Sequence, residues 1–158
     1  MDRRRFLSIV RSVVLTRGWR CSFYCLMTNH YHLLVTSPQP DLPVGMHAIN
    51  FMAARTFNKR HGYTGHLFEK RYGSELVKSE SHLLETYRYI ALNPVRAGLC
   101  ADPADWPWSS YGATIGVRPL PDFVEVDEVL SAFSQNPERA RALLREFVLE
   151  GLALRRAA

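Results

Sequence analysis

The sequence has little cysteine and no long apolar run. Its three cysteines, Cys21, Cys25 and Cys100, are odd in number and lack the paired spacing of a zinc site. They indicate reduced thiols of a cytoplasmic protein rather than a disulfide framework. No apolar stretch approaches the ~18 residues that a membrane span needs. Arg11 and Arg17 interrupt the segment that a signal peptide would keep apolar. We therefore expect a cytoplasmic protein without a membrane partner.

Composition and charge are those of a globular chain with a basic first half. The 158 residues are 47% hydrophobic and 22% charged, enough for a sizeable core. The net charge is +5, and residues 1–20 hold six arginines against one acid. Residues 55–78 hold six basic and two acidic residues, whereas residues 99–158 hold six basic and nine acidic ones. This distribution favours a phosphate-rich partner, and a merely solvated basic surface is the alternative.

Hydrophobic periodicity predicts a mixed α/β (α+β) chain. Apolar residues at three- and four-residue spacing, with cap signals, indicate helices at about 3–17, 44–60, 79–93, 125–134 and 137–150. Alternation predicts strands at 20–27 and 30–36, joined by a short turn, and a further strand at 73–78. Pro94 is expected to disfavour helical geometry at Asn93. Prolines and Gly116 indicate a linker at 117–124 between a catalytic domain, 1–116, and a C-terminal helical extension, 125–158.

A His-x-His pair opens the second predicted strand. On a strand, alternate residues point to the same face, so His30 and His32 project side by side. Two parallel imidazoles can chelate one divalent metal. Two half-exposed strand histidines without a ligand are the alternative reading.

The third predicted helix separates an apolar face from a more polar one. Tyr89 and Asn93, four residues apart, share the polar face. A metal held by two histidines needs a third ligand, and the carbonyl oxygen of Asn93 could supply it. A tyrosine hydroxyl beside the metal is a competent nucleophile for an activated phosphodiester. Taken alone, Tyr89 reads as a packing residue and Asn93 as a turn former.

Basic and aromatic side chains interleave in and after the second predicted helix. This mixture suits single-stranded nucleic acid, where cations follow phosphates and rings stack on bases. The alternative is a loop whose rings fill the core. The candidate nucleic-acid-binding residues are Arg55, Lys59, Arg60, His66, Phe68, Lys70 and Arg71.

Four stretches of the chain resemble the signature blocks of the single-tyrosine HUH transposases, and the closest subgroup is the REP-associated (IS200-like) tyrosine transposases. They are Tyr24-Cys-Leu-Met-Thr-Asn-His-Tyr-His-Leu-Leu-Val35, Gly65-His-Leu-Phe-Glu-Lys-Arg71, Arg88-Tyr-Ile-Ala-Leu-Asn-Pro-Val-Arg-Ala-Gly-Leu99 and Pro107-Trp-Ser-Ser-Tyr111. The resemblance covers roughly residues 1–120, and four blocks in the same order make a specific match.

The resemblance implies a ferredoxin-like split βαβ sheet with helices on one face. It also implies a Mg²⁺- or Mn²⁺-dependent enzyme that cleaves and rejoins hairpin-flanked single-stranded DNA through a covalent phosphotyrosine. Carried over by position, His30, His32 and Asn93 match the metal site, and Tyr89 matches the nucleophile. A homodimer and a cytoplasmic, nucleoid-associated location follow from the same resemblance.

The sequence departs from the family pattern in two places. Thr28 stands where family members usually carry proline, and the family fold opens with a strand ahead of the helix at which this chain begins. The expected sheet therefore lacks that strand. A catalytically degenerate protein that binds single-stranded DNA hairpins is the main alternative, and a metal-binding regulatory domain is a weaker one.

Overall fold

The structure, a computed structural model, describes residues 2–153. The elements, in chain order, are α1 (Asp2–Arg17), β1 (Arg20–Leu26), β2 (Tyr31–Thr36), α2 (Leu42–His61), α3 (Glu80–Arg96), a 3₁₀ turn (Pro103–Asp105), α4 (Tyr111–Thr114), α5 (Asp127–Ser131) and α6 (Pro137–Ala153). β1 and β2 form a two-stranded antiparallel sheet. The predicted mixed α/β class with C-terminal helices is confirmed. Within residues 2–153, no helix has the length and apolarity required to cross a bilayer.

The strand predicted at 73–78 is wrong. This stretch has no regular secondary structure, and most of its side chains are exposed, Leu76 to 76%. A strand is stable only when a neighbouring strand satisfies its backbone groups and a packed surface covers one face. Local β-propensity at Leu76 and Val77 does not supply either condition.

The predicted effect of Pro94 on the helix is also wrong. α3 continues through Pro94 to Arg96, and the proline ring is buried. Proline lacks an amide hydrogen, so the helix loses one internal hydrogen bond at this point. The bonds from the Ala97 amide to the Asn93 carbonyl and from the Leu99 amide to the Pro94 carbonyl still close the final turn. Gly98, at φ +69°, then ends the helical segment.

The chain divides into two compact units. Unit 1 contains residues 2–20 and 36–76, and unit 2 contains residues 21–35 and 77–153 among those described. The helices after residue 125 thus belong to the same unit as the β1–β2 hairpin and α3. The domain division at 117–124 stays a prediction.

Unit 1 is built from α1 packed on α2. Its apolar interior includes Val10, Val13 and Ile49, all nearly inaccessible to solvent. One carboxylate, Asp41, joins the end of α1 to the start of α2. It accepts hydrogen bonds from the Arg17 guanidinium at 2.6 Å, the Trp19 indole at 2.9 Å and the Ser37 hydroxyl at 2.7 Å.

Unit 2 is organised around β1, whose residues after Arg20 are all buried. One edge of β1 pairs with β2. The other edge receives residues 106–111 and 124–125, through bonds such as Leu26 N to Trp108 O at 2.8 Å and Glu125 N to Cys21 O at 2.9 Å. β2 is half-exposed along its length. This difference leaves the histidine-bearing strand accessible while its partner is fixed in the core.

The orientation of α3 in unit 2 is set by Tyr87 and Arg88. The fully buried ring of Tyr87 lies 4.2 Å from the ring of Phe23 in β1. The Arg88 guanidinium lies over the Phe147 ring of α6, 4.4 Å from its centroid. Ser79 caps the helix by accepting a hydrogen bond from the His82 amide. Tyr89 lies two residues after Tyr87, about 200° around the helix, and so faces away from this contact.

Candidate functional site

His30 immediately precedes β2, His32 is its second residue, and their rings lie close together. The ring centroids are 5.0 Å apart and the ring planes are nearly perpendicular, at 88°. His30 is exposed, and its Nδ1 lies 2.8 Å from the side-chain oxygen of Asn29. That hydrogen bond orients the ring and leaves Nε2 as its second nitrogen. The alternation of β2 thus brings two imidazoles to one face.

His32 carries a buried nitrogen whose polarity is not satisfied. Its Nε2 is inaccessible to solvent and has no hydrogen-bond partner among the described residues. Burial, and then the neighbouring His30, lower the pKa of His32, so its imidazole is neutral at pH 7. A neutral imidazole with a free lone pair is the form that binds a divalent metal. A buried polar atom without a partner costs stability, which a bound ligand would recover.

Tyr89 of α3 faces this histidine. The Tyr89 and His32 ring centroids are 6.0 Å apart, with an interplanar angle of 85°. Tyr89 is 51% exposed, whereas Tyr87 two residues earlier is fully buried. Burial raises the pKa of Tyr87 far above the ordinary value of 10, so its hydroxyl stays protonated. Of these two tyrosines, Tyr89 is the one that a substrate in solution can reach.

Asn93 lies one turn after Tyr89 on the same face of α3. Its side-chain nitrogen donates a hydrogen bond to the Tyr89 carbonyl at 3.0 Å. This bond fixes the amide against the helix and assigns its nitrogen to the backbone, leaving the amide oxygen as the atom suited to a metal.

Arg96 completes the group and was missed from the sequence. Its guanidinium lies 5.7 Å from the centroid of the Tyr89 ring. A cation in the last turn of a helix is expected to complement the helix dipole. Because that interpretation already explains an arginine at this position, the contact with the Tyr89 ring was not predicted. The signal that was available is spacing: Arg96 is seven residues after Tyr89, two turns along the same face.

Two imidazoles and one amide oxygen would form a mixed nitrogen and oxygen donor set for a divalent metal. The buried Nε2 of His32 would supply one donor and the neighbouring His30 a second, and the amide oxygen of Asn93 is the predicted third. Residues 2–153 contain no cluster of three His, Cys, Asp or Glu side chains that would form an all-charged site. The donor set therefore has few ligands and leaves coordination positions for a substrate. The metal assignment stays a prediction.

The cysteines take no part in this group. Burial raises the pKa of Cys21 and of Cys25 to about 12, which keeps both thiols protonated at neutral pH. No disulfide joins the three cysteines.

Three of the predicted nucleic-acid-binding residues lie together in unit 1. Arg55, Lys59 and Arg60 line a groove of about 580 Å³ between α1 and α2. Arg5 of α1 lies on the opposite side of the groove and was not predicted. Arg60 also pairs with the carboxylate of Asp2 at 3.3 Å.

The other four predicted residues lie in an irregular segment after α2. His66, Lys70 and Arg71 are exposed, and Phe68 is half-buried. The segment is held to α2 by a hydrogen bond from the Asn58 side chain to the Gly65 carbonyl at 3.0 Å. The structure does not bring these four residues into one cluster, and their role in binding stays a prediction.

The β1–β2 hairpin and α3 thus bring two histidines and a tyrosine together in unit 2. The family model for transposases of the IS200-like type matches residues 1–93. The chain belongs to this family. It is 27% identical over 109 residues to a protein of Haemophilus influenzae named as a REP-associated tyrosine transposase. The match covers 62% of each chain, so this chain spans less than two thirds of that relative. No solved structure matches the chain.

Proposed function

We propose that this protein cleaves and rejoins hairpin-flanked single-stranded DNA through a covalent bond to Tyr89. The observation that carries the proposal is the exposed Tyr89 ring facing His32, whose buried Nε2 has no partner within residues 2–153. Membership in the IS200-like transposase family supports the same reaction class.

In the proposed reaction the Tyr89 hydroxyl oxygen attacks the phosphorus of a phosphodiester. A bond from the tyrosine oxygen to phosphorus forms, and the bond from phosphorus to the leaving sugar oxygen breaks. The tyrosine proton passes to solvent, and the released sugar oxygen gains a proton to become a free hydroxyl. Attack by a hydroxyl on the phosphotyrosine reverses the sequence and rejoins the strand.

The residues around Tyr89 position and balance the charge of the phosphodiester. His30, His32 and Asn93 would hold Mg²⁺ or Mn²⁺, which supplies Lewis-acid polarisation of a phosphoryl oxygen when bound. Arg96, over the Tyr89 ring, places a positive charge beside the nucleophile. The Asn93 bond to the Tyr89 backbone carbonyl holds the Asn93 amide against α3, one turn from Tyr89.

The proposed DNA path uses the basic residues of α2 and of the irregular segment that follows it, both in unit 1. Charge reversal at Arg60, Lys70 and Arg71 should weaken binding and reduce its salt dependence, because each phosphate contact to a single strand contributes about 0.7 to the logarithmic salt slope. An unchanged salt slope would show that these three residues do not contact the phosphates and that the DNA binds elsewhere on the protein. A homodimer is part of the proposal, and sedimentation velocity tests it.

The main alternative is a protein that binds DNA hairpins without cutting them. Covalent chemistry separates the two functions. The experiment is a denaturing gel of the purified chain with 5′- and 3′-labelled hairpin-flanked oligonucleotides, with Mg²⁺ or with EDTA.

The expected result is a slow-migrating adduct that needs metal and disappears in Tyr89→Phe. Tyr87→Phe is the matched control for stability, because Tyr87 is buried and lies off the site. DNA binding that is the same in the two proteins, with no adduct in either, would overturn the nuclease assignment and favour the binding protein. Metal binding without affinity for single-stranded DNA would favour a regulatory domain.

A further inference from the structure

Four side chains at four-residue spacing form an exposed row along α2. They are His47, Phe51, Arg55 and Lys59, which we call the α2 row. Residues four apart on a helix are neighbours on one face. The row therefore places two aromatic rings and then two cations in line, all facing solvent.

The two rings of the α2 row are stacked. The His47 and Phe51 centroids are 6.0 Å apart, and the planes differ by only 9°. Phe51 is 56% exposed, although it follows the buried Ile49 by two residues. A phenylalanine held outside the core against a parallel ring presents a flat apolar face to solvent.

The two cations of the row also line the groove between α1 and α2. Arg5 and Arg60 complete its basic lining, and the hydroxyl of Thr56 adds a neutral hydrogen-bonding group. α2 contains no acidic residue. Arg5, Arg55 and Lys59 have no carboxylate partner within the part of the chain that the structure describes, whereas Arg60 pairs with Asp2. The groove also contains the apolar Ile9 and Met52, and its three basic side chains without a carboxylate partner give it a positive charge that attracts an anion.

We propose that the α2 row is a binding track for single-stranded DNA, in which an unpaired base stacks on Phe51 and its phosphate enters the adjoining groove. This proposal rests on the proposed function and names a contact residue outside the predicted set. Stacking on a ring is independent of base identity, and cations follow the phosphates. Phe51 and Arg55 are one turn apart, about 6 Å along the helix at 1.5 Å per residue. One nucleotide can bridge this distance from base to phosphate.

Charge favours this occupant over a second copy of the chain. In a two-fold dimer the same surface faces itself, so the cations of one row would approach those of the other. The core of a protein–protein interface is also depleted of lysine. Single-stranded DNA complements the whole row, because its unpaired bases match the two rings and its phosphates match the two cations.

The experiment measures binding of the full chain to a fluorescein-labelled oligothymidylate by anisotropy at several salt concentrations. Phe51→Ala should weaken binding by about 5- to 150-fold, the effect of one stacked base, and leave the salt slope unchanged. Leu15→Ala is the matched control, because Leu15 is 49% exposed on α1, outside the α2 row, and carries no ring. Arg55→Gln with Lys59→Gln should instead lower the salt slope, by about 0.7 for each lost phosphate contact.

A second measurement uses a ring that reports stacking. Phe51→Trp should retain binding and show more tryptophan quenching by oligothymidylate than the wild type, whereas Leu15→Trp should show no more quenching than the wild type. A blunt duplex offers no unpaired base, so Phe51→Ala should bind it as the wild type does.

Equal binding by Phe51→Ala and Leu15→Ala overturns the proposal, as does a wild-type chain with no affinity for the oligothymidylate. The result is separable from the tyrosine chemistry. A Phe51-dependent affinity in a chain that forms no adduct would uphold the track and reject the nuclease. An adduct in the wild type, together with DNA binding that does not depend on Phe51, would support the nuclease and reject the track.

Discussion

The ring of Tyr89 in α3 stands edge-on to the ring of His32 in β2, with 6.0 Å between centroids. The helix contributes a reachable hydroxyl, and the strand contributes a buried nitrogen without a partner among the described residues. Neither residue is unusual alone, and their juxtaposition defines the site.

Substitution of either histidine should remove metal-dependent cleavage. His30→Ala and His32→Ala are each expected to slow adduct formation by roughly 10²-fold or more, because metal catalysis supplies several kcal/mol. Titration calorimetry with Mn²⁺ should show lost binding. His82→Ala is the control, since that histidine belongs to the same unit and lies at the start of α3. Full cleavage in both variants would refute the metal assignment.

Loss of the Asn93 amide should affect metal binding and not stability. Asn93→Ala removes one hydrogen bond on an exposed helix face but introduces a better helix former. We expect an almost unchanged melting temperature and a metal affinity about 10- to 100-fold lower. Asn93→Asp keeps an oxygen donor and adds charge, so it should bind Mg²⁺ at least as well as the wild type. Equal metal affinity in all three proteins would exclude this residue from the site.

Arg96 should contribute to the chemical step through its charge. Arg96→Gln is expected to slow adduct formation by about 10²-fold, the effect of removing one group that stabilises transition-state charge. Arg96→Lys should recover part of the rate, because it keeps the charge but not the planar contact with the Tyr89 ring. Arg139→Gln removes the same charge from an exposed position in unit 2 and should have little effect. A rate as low in that control would indicate a general loss of positive charge.

A methyl group at Gly45 should destabilise unit 1. A Cβ on this residue would overlap the indole of Trp19. That ring is 3% exposed and is held by its bond to Asp41, so it cannot move aside. The overpacking cost of about 1–3 kcal/mol exceeds the gain of at most about 1 kcal/mol from replacing glycine in a helix.

Thermal unfolding tests this effect. The Gly45→Ala melting temperature should fall by about 2–4 °C for each kcal/mol lost. Gly73→Ala should be neutral, because a Cβ there meets nothing within 4 Å. A Gly45→Ala melting temperature at or above that of the wild type would contradict the close packing of Trp19.

The Asp41 cluster should make unit 1 sensitive to acid. Hydrogen bonds from Ser37, Trp19 and Arg17, in that order of effect, lower the pKa of Asp41 to about 2 from an ordinary value of 3.8. A carboxyl group with a lower pKa in the folded state contributes stability that is complete above about pH 4. That contribution is lost as the pH falls through about 2.

Melting temperatures at pH 5, 3 and 2 measure the acid effect. Asp41→Asn lacks the titrating group, so its melting temperature should fall less across this range than that of the wild type. Parallel pH profiles for the two proteins would show that another carboxylate dominates.

The sequence predicted those features of the helices that depend on residues close together in the chain, namely their bounds, their caps and their buried faces. The spacing of Ile9, Val10, Val13 and Val14 and the glycine that follows located α1 to within a residue. Ser79, the first residue of the helix predicted at 79–93, is the residue that caps α3. The opposite orientation of Tyr87 and Tyr89 also followed from helical periodicity alone.

The remaining features depend on contacts between distant parts of the chain. The strand predicted at 73–78 and the predicted effect of Pro94 on α3 were wrong. Whether a strand forms, and whether a helix continues through a proline, depends on pairing and packing partners elsewhere in the chain. The convergence of Arg17, Trp19 and Ser37 on Asp41 has no periodic signature. The exposed face of Phe51 was hidden by the adjacent buried stripe of α2, since an apolar residue there reads as core.

The pairing of β1 has a consequence during synthesis. The hairpin bearing His30 and His32 leaves the ribosome before α2, and Tyr89 follows only after α2 is complete. The edge of β1 opposite β2 is covered by residues near Trp108 and Val124, which are translated later still. A nascent chain released after α2 would therefore carry an apolar strand with an open edge, the feature that promotes aggregation. Prematurely terminated products of this chain should accumulate as insoluble material, and translation past Val124 marks the point at which that hazard ends.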